Sequence, residues 1–264
     1  MKNTQKNELA VCGFAAVKTL EKINWERITR FYFAPEKASL FGGLCRKMAA
    51  AKKPYNQVRD LSELEKLCGS VHHQGVVAMI EMPQVPPLNS EITAQWVAEK
   101  QDTIVLDRVG NANNLGAVVR SAAFFGIQNI VIPLDEAQSS ITTSSYRVAE
   151  GGMEFVKVYS IKSIPRLLMD MKGRMVSIGT SLEAKESLSC IGSVCKDTPS
   201  IIVLGNEEHG ISREVQDACD HLVIIPYTGI NANSEGPRMD SLNVAQASAV
   251  VMYELSSARS RGVK

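Results

Sequence analysis

The sequence predicts an α/β protein built from two parts, and three observations support this. Short apolar runs, typical of strands covered on both faces, alternate with helical segments along the chain. Pro83, Pro86 and Pro87 lie within five residues, a density that excludes a helix or a central strand there. The composition, 45% hydrophobic and 22% charged, is that of a globular protein with a sizeable core. A length of 264 residues suits one large domain or two ordinary ones.

The residues before the prolines are predicted to form a small α/β domain. An aromatic and β-branched run predicts a strand at 28–34, and the spacing of Leu40, Leu44 and Met48 predicts a helix over 36–52. A capping box at 62–65 is expected to open a helix that Gly69 ends. The remaining predicted elements are a helix at 11–22 and a closing strand at 75–80.

The residues after the prolines repeat the alternation more strongly. Such alternation predicts a mostly parallel sheet with helices on both faces. The predicted strands are 103–107, 129–132, 155–158, 175–179, 201–205 and 222–226, and the predicted helices are 114–125, 162–171 and 241–257. The chain is therefore divided into a first domain at 1–81, a linker at 82–98 and a second domain at 99–264.

The distribution of charge is more informative than its total. A net charge of +1 disfavours a generic nucleic-acid coat, which carries a large positive excess. Residues 1–80, however, contain 13 Lys and Arg against 7 Asp and Glu, whereas residues 81–264 contain 16 against 21. The first part thus carries +6 and the remainder −5. A basic first domain can supply sequence-independent attraction to phosphates.

Several classes of protein are excluded at this stage. The polar start has no apolar signal core, and no run approaches the roughly 18 apolar residues of a membrane span. The six cysteines show neither a C-x-x-C pair nor zinc spacing, which predicts reduced thiols and no metal site. A cytoplasmic protein without a membrane partner is expected.

Polar segments follow the predicted strands, at the edge where ligands of parallel sheets gather. Asn114 is expected to cap a helix, and Arg120 lies among apolar residues of that helix, so its guanidinium must be paired or functional. Glu207 follows a strand that ends in glycine, and Ser241 is expected to cap the last helix. Simpler interpretations are a snorkelling arginine, a polar loop and a buried terminal helix. Neither G-x-G-x-x-G nor a P-loop is present.

Taken together, three motifs in order resemble the SpoU (TrmH-type) RNA 2′-O-methyltransferases of the SPOUT superfamily. They are N-x-G-x-x-x-R at Asn114, Gly116 and Arg120, L-G-N-E at 204–207, and I-P with S-L-N-V at 225–226 and 241–244. The resemblance spans nearly the whole chain. It implies a SPOUT (α/β knot) methyltransferase domain with a C-terminal trefoil knot, and an N-terminal RNA-binding domain with a ribosomal-protein-like fold.

The resemblance also implies an activity and its site. S-adenosylmethionine would donate a methyl group to a ribose 2′-hydroxyl of rRNA or tRNA, in a homodimer formed by the methyltransferase domain. Thr180, Gly205, Ile225 and Leu242 would line the cofactor pocket. The residues expected around the ribose and the methyl group are Asn114, Arg120, Glu207, Ser241 and Asn243.

Two departures from the family pattern and three other functions remain open. Glu208 and His209 stand where the family often has glycine, and residues 231–240 resemble an insertion in the knot loop. The alternatives are an rRNA methylase that confers antibiotic resistance, a catalytically silent RNA-binding or ribosome-assembly factor, and a small-molecule α/β enzyme. The last leaves the basic first domain unexplained, and a silent factor has no need of the motif residues.

Overall fold

The computed structural model describes residues 7–206, 208–229 and 241–261. These residues form two compact units. One contains the chain up to Gln84 together with Leu115–Arg120 and Ser140–Phe155, and the other contains the rest. The units therefore do not divide the chain at the prolines alone, because two later segments pack with the first part.

The first unit is built on a four-stranded sheet in the order β1-β4-β2-β3. Strand β4 is antiparallel to both of its neighbours, whereas β2 and β3 are parallel. The elements up to Gln84 are β1 (Glu8–Cys12), α1 (Phe14–Asn24), β2 (Ile28–Phe33), α2 (Gly42–Ala50), β3 (Tyr55–Gln57), α3 (Leu61–Cys68) and β4 (Val76–Glu81).

Two sequence predictions in this unit are wrong in detail. The helix predicted from residue 11 begins at Phe14, because Val11 pairs with Ala78 inside the fully buried strand β1. Asp60, rather than Ser62, caps α3: its side chain accepts the Ser62 N–H at 3.0 Å. The end of α3 is confirmed, since Gly69 has a left-handed φ of 67°, which glycine adopts without strain.

The second unit contains a seven-stranded sheet in the order β7-β6-β5-β10-β8-β11-β9, with every pair parallel. The six strands predicted here are confirmed, with β7 beginning two residues later than expected. The elements after Gln84 are α4 (Ser90–Ala98), β5 (Thr103–Asp107), α5 (Ala112–Phe124), β6 (Asn129–Pro133), α6 (Thr143–Ala149), β7 (Lys157–Ile161), α7 (Ile164–Met171), β8 (Val176–Thr180), β9 (Glu186–Ser187), α8 (Ile191–Cys195), β10 (Ser200–Gly205), α9 (Arg213–Ala218), β11 (His221–Ile224) and α10 (Val244–Arg261).

The segment predicted as a linker at 82–98 is ordered in its second half. Ser160 of β7 donates its N–H to the Pro86 carbonyl at 2.9 Å and accepts the Leu88 N–H at 2.9 Å. Asn89 then caps α4, whose Trp96 is buried and packs edge-on against Tyr159. The prolines suit this place because an edge position does not need every backbone N–H.

In the described part of the chain, no helix combines the length and the apolar character that crossing a membrane requires. The same residues contain no group of three or more His, Cys, Asp or Glu side chains arranged to hold a metal ion.

Candidate functional site

The carboxyl ends of three neighbouring strands form one edge of the second unit. Strand β8 lies between β10 and β11, with Gly179 in register with Val203 and Thr180 in register with Val223. Thr180 ends β8, Gly205 ends β10, and Ile225 follows β11. Three of the residues predicted to line a cofactor pocket, Thr180, Gly205 and Ile225, therefore lie at the ends of neighbouring strands, offset from one another by no more than two residues.

Thr180 is fixed at the edge by the strands on either side. Its hydroxyl donates to the Val203 carbonyl of β10 at 3.3 Å. The next residue, Ser181, donates its N–H to the Val223 carbonyl of β11 at 3.0 Å. The backbone beyond the strand end is thereby held between β10 and β11.

Gly205 is required by the loop that follows it. A Cβ at this position would lie 2.1 Å from backbone atoms of Gly210 and Ile211, so no side chain fits. Asn206 and Gly210 exchange two backbone hydrogen bonds, of 3.0 and 2.8 Å, which bring the two ends of the loop together. The missing side chain at Gly205 therefore allows the backbone of Gly210 and Ile211 to pack directly against it.

Asn206 and Asp107 are structural residues of the edge that the sequence did not single out. The Asn206 amide donates to the Arg108 carbonyl at 3.0 Å and accepts the Glu208 N–H at 2.8 Å. The buried Asp107 carboxylate accepts the Ser212 N–H at 2.7 Å and raises the pKa of the Arg108 guanidinium through a direct hydrogen bond. Asn206 is part of the L-G-N-E motif, whereas the only signal for Asp107 in the sequence was its position at the end of a predicted strand.

Asn114 and Asn243 come together across 129 residues of sequence, with 3.3 Å between the Asn243 Nδ2 and the Asn114 Oδ1. Asn114 is not the cap of α5, as expected. The helix begins two residues earlier and is capped by Asn111, which accepts the Asn113 N–H at 2.8 Å. The Asn114 side chain in the first turn is therefore available to Asn243.

The last helix is capped by Asn243 rather than by the predicted Ser241. The Asn243 Oδ1 accepts the Ala245 N–H at 2.9 Å, directly before α10 begins. Ser241 and Leu242 precede this cap and are exposed. Asn243 therefore uses one side-chain atom to start the helix and another to contact Asn114.

Arg120 lies six residues beyond Asn114 on α5, about 9 Å further along the helix axis. Its guanidinium is 2.9 Å from the Glu150 carboxylate, and its side chain is 57% exposed. The pairing expected for a charged residue in this helix is thus found, with Glu150 as a partner that the sequence did not indicate. Glu207 and the insertion at 231–240 lie outside the described residues.

Gly116, the central residue of the first motif, has a packing role. A Cβ here would lie 2.5 Å from the Ser145 carbonyl oxygen and 3.0 Å from the Val148 side chain. Helix α6 therefore approaches α5 as closely as two backbones allow, and a larger residue would force them apart.

The chemistry of the edge suits a neutral or cationic ligand with an aromatic part. It offers backbone groups at three strand ends, the Thr180 hydroxyl and the apolar side chain of Ile225. A separate pair of amides, Asn114 and Asn243, can also donate and accept hydrogen bonds. Such a set recognises hydroxyl groups and a purine, and it does not require phosphates on the ligand.

Two family models match the chain. The model described as the SpoU rRNA Methylase family matches residues 102–253. The model described as RNA 2′-O ribose methyltransferase substrate binding matches residues 10–86. The first match covers more than half of the chain.

Curated relatives and solved structures agree with these matches. The chain is 34% identical to the 23S rRNA (guanosine-2′-O-)-methyltransferase RlmB of Acinetobacter baylyi, over 72% of this chain and 73% of the relative. It is 30% identical to RlmB of Ralstonia nicotianae over 97% of both. The fold matches an AdoMet-bound rRNA methyltransferase from Sinorhizobium meliloti with a TM-score of 0.74 at 18% identity, over 99% of this chain and 90% of the other. The chain therefore belongs to the SpoU rRNA methylase family.

Proposed function

We propose that this chain transfers a methyl group from S-adenosylmethionine to a ribose 2′-hydroxyl of rRNA or tRNA. The observation that carries the proposal is the contact between Asn114 and Asn243, which joins residues of two separate motifs 129 positions apart in the sequence. The names of its relatives, which are 23S rRNA guanosine-2′-O-methyltransferases, support the same reaction.

The residues of the edge fit S-adenosylmethionine. The ligand is a sulfonium without phosphates, so it needs no glycine-rich phosphate loop, and this edge is not built as one. Thr180, the backbone at Gly205, and the apolar Ile225 and Leu242 would hold its adenosine part. When bound, this cofactor supplies the electrophilic methyl group. A solved SpoU methyltransferase of the same fold, AviRb from Streptomyces viridochromogenes, carries AdoMet; it is 21% identical, with a TM-score of 0.71, over 98% of this chain and 93% of the other.

The remaining motif residues would prepare the acceptor. A ribose hydroxyl is a weak nucleophile, so its oxygen must be aligned with the methyl group and relieved of its proton. An arginine guanidinium stays positively charged in proteins, so Arg120 cannot act as the base. It therefore binds the phosphate of the target nucleotide and polarises the hydroxyl, while a phosphate oxygen or Glu207 takes the proton. The amides of Asn114 and Asn243 and the hydroxyl of Ser241 would orient the ribose.

The first domain, residues 1–81, would attract the RNA. The ammonium groups of Lys47 and Lys53 lie 5.5 and 5.6 Å from the ring of Trp25, on the four-stranded unit. Cations clustered around an aromatic ring provide phosphate contacts together with a surface on which a base can stack. The second domain, 99–264, then needs to recognise one nucleotide rather than a long backbone.

We further infer a homodimer through the methyltransferase domain, with a knot formed by its C-terminal segment. Phe124 at the end of α5 is 82% exposed and Tyr253 of α10 is 61% exposed, and both rings lie beside Phe125. Exposed aromatic side chains in a group are typical of a surface that another subunit covers. Its six cysteines are free thiols, which suits a cytoplasmic protein.

The decisive experiment maps 2′-O-methyl groups at nucleotide resolution in total RNA from cells with and without the gene. One position is expected to lose its methyl group in the deletion, and an unchanged map would refute the proposal. Calorimetric titration with S-adenosylmethionine separates an enzyme from a silent RNA-binding factor, because a silent factor would show no binding.

A further inference from the structure

The Glu150 carboxylate pairs with the Arg120 guanidinium, the group to which the proposed function assigns an RNA phosphate. Its distance to the guanidinium is 2.9 Å, within the range of a charge-assisted hydrogen bond. Both side chains are about half exposed, 57% for Arg120 and 48% for Glu150. A guanidinium that is reachable from solvent and paired with an exposed carboxylate can exchange that carboxylate for a phosphate when RNA binds.

Glu150 is held in this place by the backbone around it. Helix α6 ends at Ala149, and Glu150 adopts a left-handed conformation with φ of 45°. Glycine is the usual residue at such a helix end, and a residue with a side chain is disfavoured there. The next two positions are glycines, and the chain at Gly152 packs directly on α5, where a Cβ would lie 3.2 Å from the Arg120 Cα.

The chain that follows Glu150 also packs closely on α1 and is hydrogen-bonded to the last residue of that helix and to Arg27 beyond it. A Cβ at Gly151 would lie 2.5 Å from the Thr19 hydroxyl of α1. Glu154 is almost fully buried and accepts hydrogen bonds from Asn24 at 2.6 Å and from Arg27 at 2.9 Å. The carboxylate of Glu150 is therefore presented to Arg120 by a closely packed and hydrogen-bonded piece of backbone.

These observations lead to one inference, which rests on the proposed function. We propose that Glu150 is a positioning residue that occupies the Arg120 guanidinium as an internal stand-in for the RNA phosphate, and that it sets the affinity for RNA by competing with it. Without RNA, Glu150 keeps the guanidinium in one place. With RNA, a phosphate replaces the carboxylate, and Arg120 is released to act on the target nucleotide.

If Glu150 competes with RNA for Arg120, its removal has a different kinetic effect than if Glu150 only supports the structure. Removing the charge of a competitor strengthens RNA binding and leaves the bound state unchanged. Glu150→Gln keeps the size, the backbone strain and a hydrogen-bonding oxygen while removing the charge. The KM for RNA is therefore expected to fall about two- to fivefold, the range for an exposed ion pair, with kcat within twofold. In this variant Arg120 does not exchange an internal carboxylate for the RNA phosphate. RNA binding should therefore release about one more counterion, so that the affinity falls more steeply with salt.

The test uses the full chain, S-adenosylmethionine with a labelled methyl group, and total RNA from cells that lack the gene as acceptor. Binding is measured separately by the fluorescence anisotropy of a labelled 20-nucleotide polyuridylate over a range of salt concentrations. Asp170→Asn is the matched control, because it removes the same charge from another exposed arginine pair, on α7. Glu150→Asp, which keeps the charge, is expected to remain close to the wild type in KM.

The outcomes separate this inference from the proposed function. A lower KM and a steeper salt dependence in Glu150→Gln, absent from Asp170→Asn, support competition by Glu150. A lower kcat in Glu150→Gln, or the same behaviour in both variants, would overturn it. If the wild type transfers no methyl group to RNA, the proposed function fails, while the polyuridylate measurement still decides whether Glu150 competes for Arg120.

Discussion

Polar side chains are used in opposite ways in the two units. Around Glu154 of the first unit, the carboxylate is 1% exposed and accepts bonds from both Asn24 and Arg27, while Arg27 also donates to the Tyr146 hydroxyl at 2.8 Å. In the second unit, the exposed Asn243 caps α10 with its Oδ1 and donates to the Asn114 Oδ1 through a long hydrogen bond of 3.3 Å. A buried and hydrogen-bonded carboxylate stabilises the fold, whereas a long hydrogen bond between exposed side chains can be exchanged for one to a substrate.

The largest effect is expected from removing Arg120. Its guanidinium is exposed, like the asparagine pair, although Arg120 lies in the first unit. Arg120→Ala should lower kcat by about 100- to 1000-fold, as the loss of one charge-stabilising donor does, and change stability by less than about 1 kcal/mol. The measurement is single-turnover methyl transfer at saturating RNA. Arg166→Ala, which breaks the exposed pair on α7, is the control, and near-wild-type turnover of Arg120→Ala would contradict the proposed role.

At Glu154, a loss of stability without a loss of activity is expected. Glu154→Ala leaves Arg27 and Asn24 without their acceptor, and should lower the free energy of unfolding by about 3 kcal/mol. The methyl transfer per folded molecule should stay close to the wild type. Urea unfolding measures the first quantity, and Glu154→Gln, which keeps one acceptor oxygen, should lose less. An unchanged unfolding midpoint would show that this network does not stabilise the unit.

A smaller effect on activity is expected at the asparagine pair. Asn114→Ala and Asn243→Ala should each lower kcat about tenfold, and the double variant should lose less than the product, with a coupling of about 1 kcal/mol. Asn111→Ala is the matched control: it removes the cap of α5 and costs roughly 1 kcal/mol of stability, without an effect on kcat. Full additivity would mean that the contact between the two amides is not used.

The smallest effect is expected from the cations around Trp25. Replacing Lys47 and Lys53 by alanine should weaken polyuridylate binding several-fold. About one to two fewer counterions should be released on binding, which makes the affinity less dependent on salt. The double variant of the exposed Lys162 and Lys172, in the other unit, loses the same charge and should bind as the wild type. Equal weakening in both variants would place RNA attraction on the whole surface rather than on Trp25 and its lysines.

Sequence patterns predicted the parallel strands well, because a strand buried on both faces must be continuously apolar. They failed where tertiary contacts override local signals. Val11 and Cys12 read as a helix start, yet they pair with β4 in the sheet. Helix α4 was missed inside the proline segment, and it is held by the burial of Trp96. The caps at Asp60, Asn111 and Asn243 each lie within three residues of the predicted cap, since adjacent Asx and Ser residues compete for the same N–H groups.

By itself, the sequence determined the α/β class, the order of the strands along the chain and the polar residues at their ends, because hydrophobic periodicity and motif spacing are local properties. The tertiary structure alone decided that Asn114 meets Asn243, that Gly205 is required by its own loop and that Glu150 pairs with Arg120. These contacts join residues that are up to 129 positions apart. Such contacts depend on how elements pack in space, which no periodicity along the chain records.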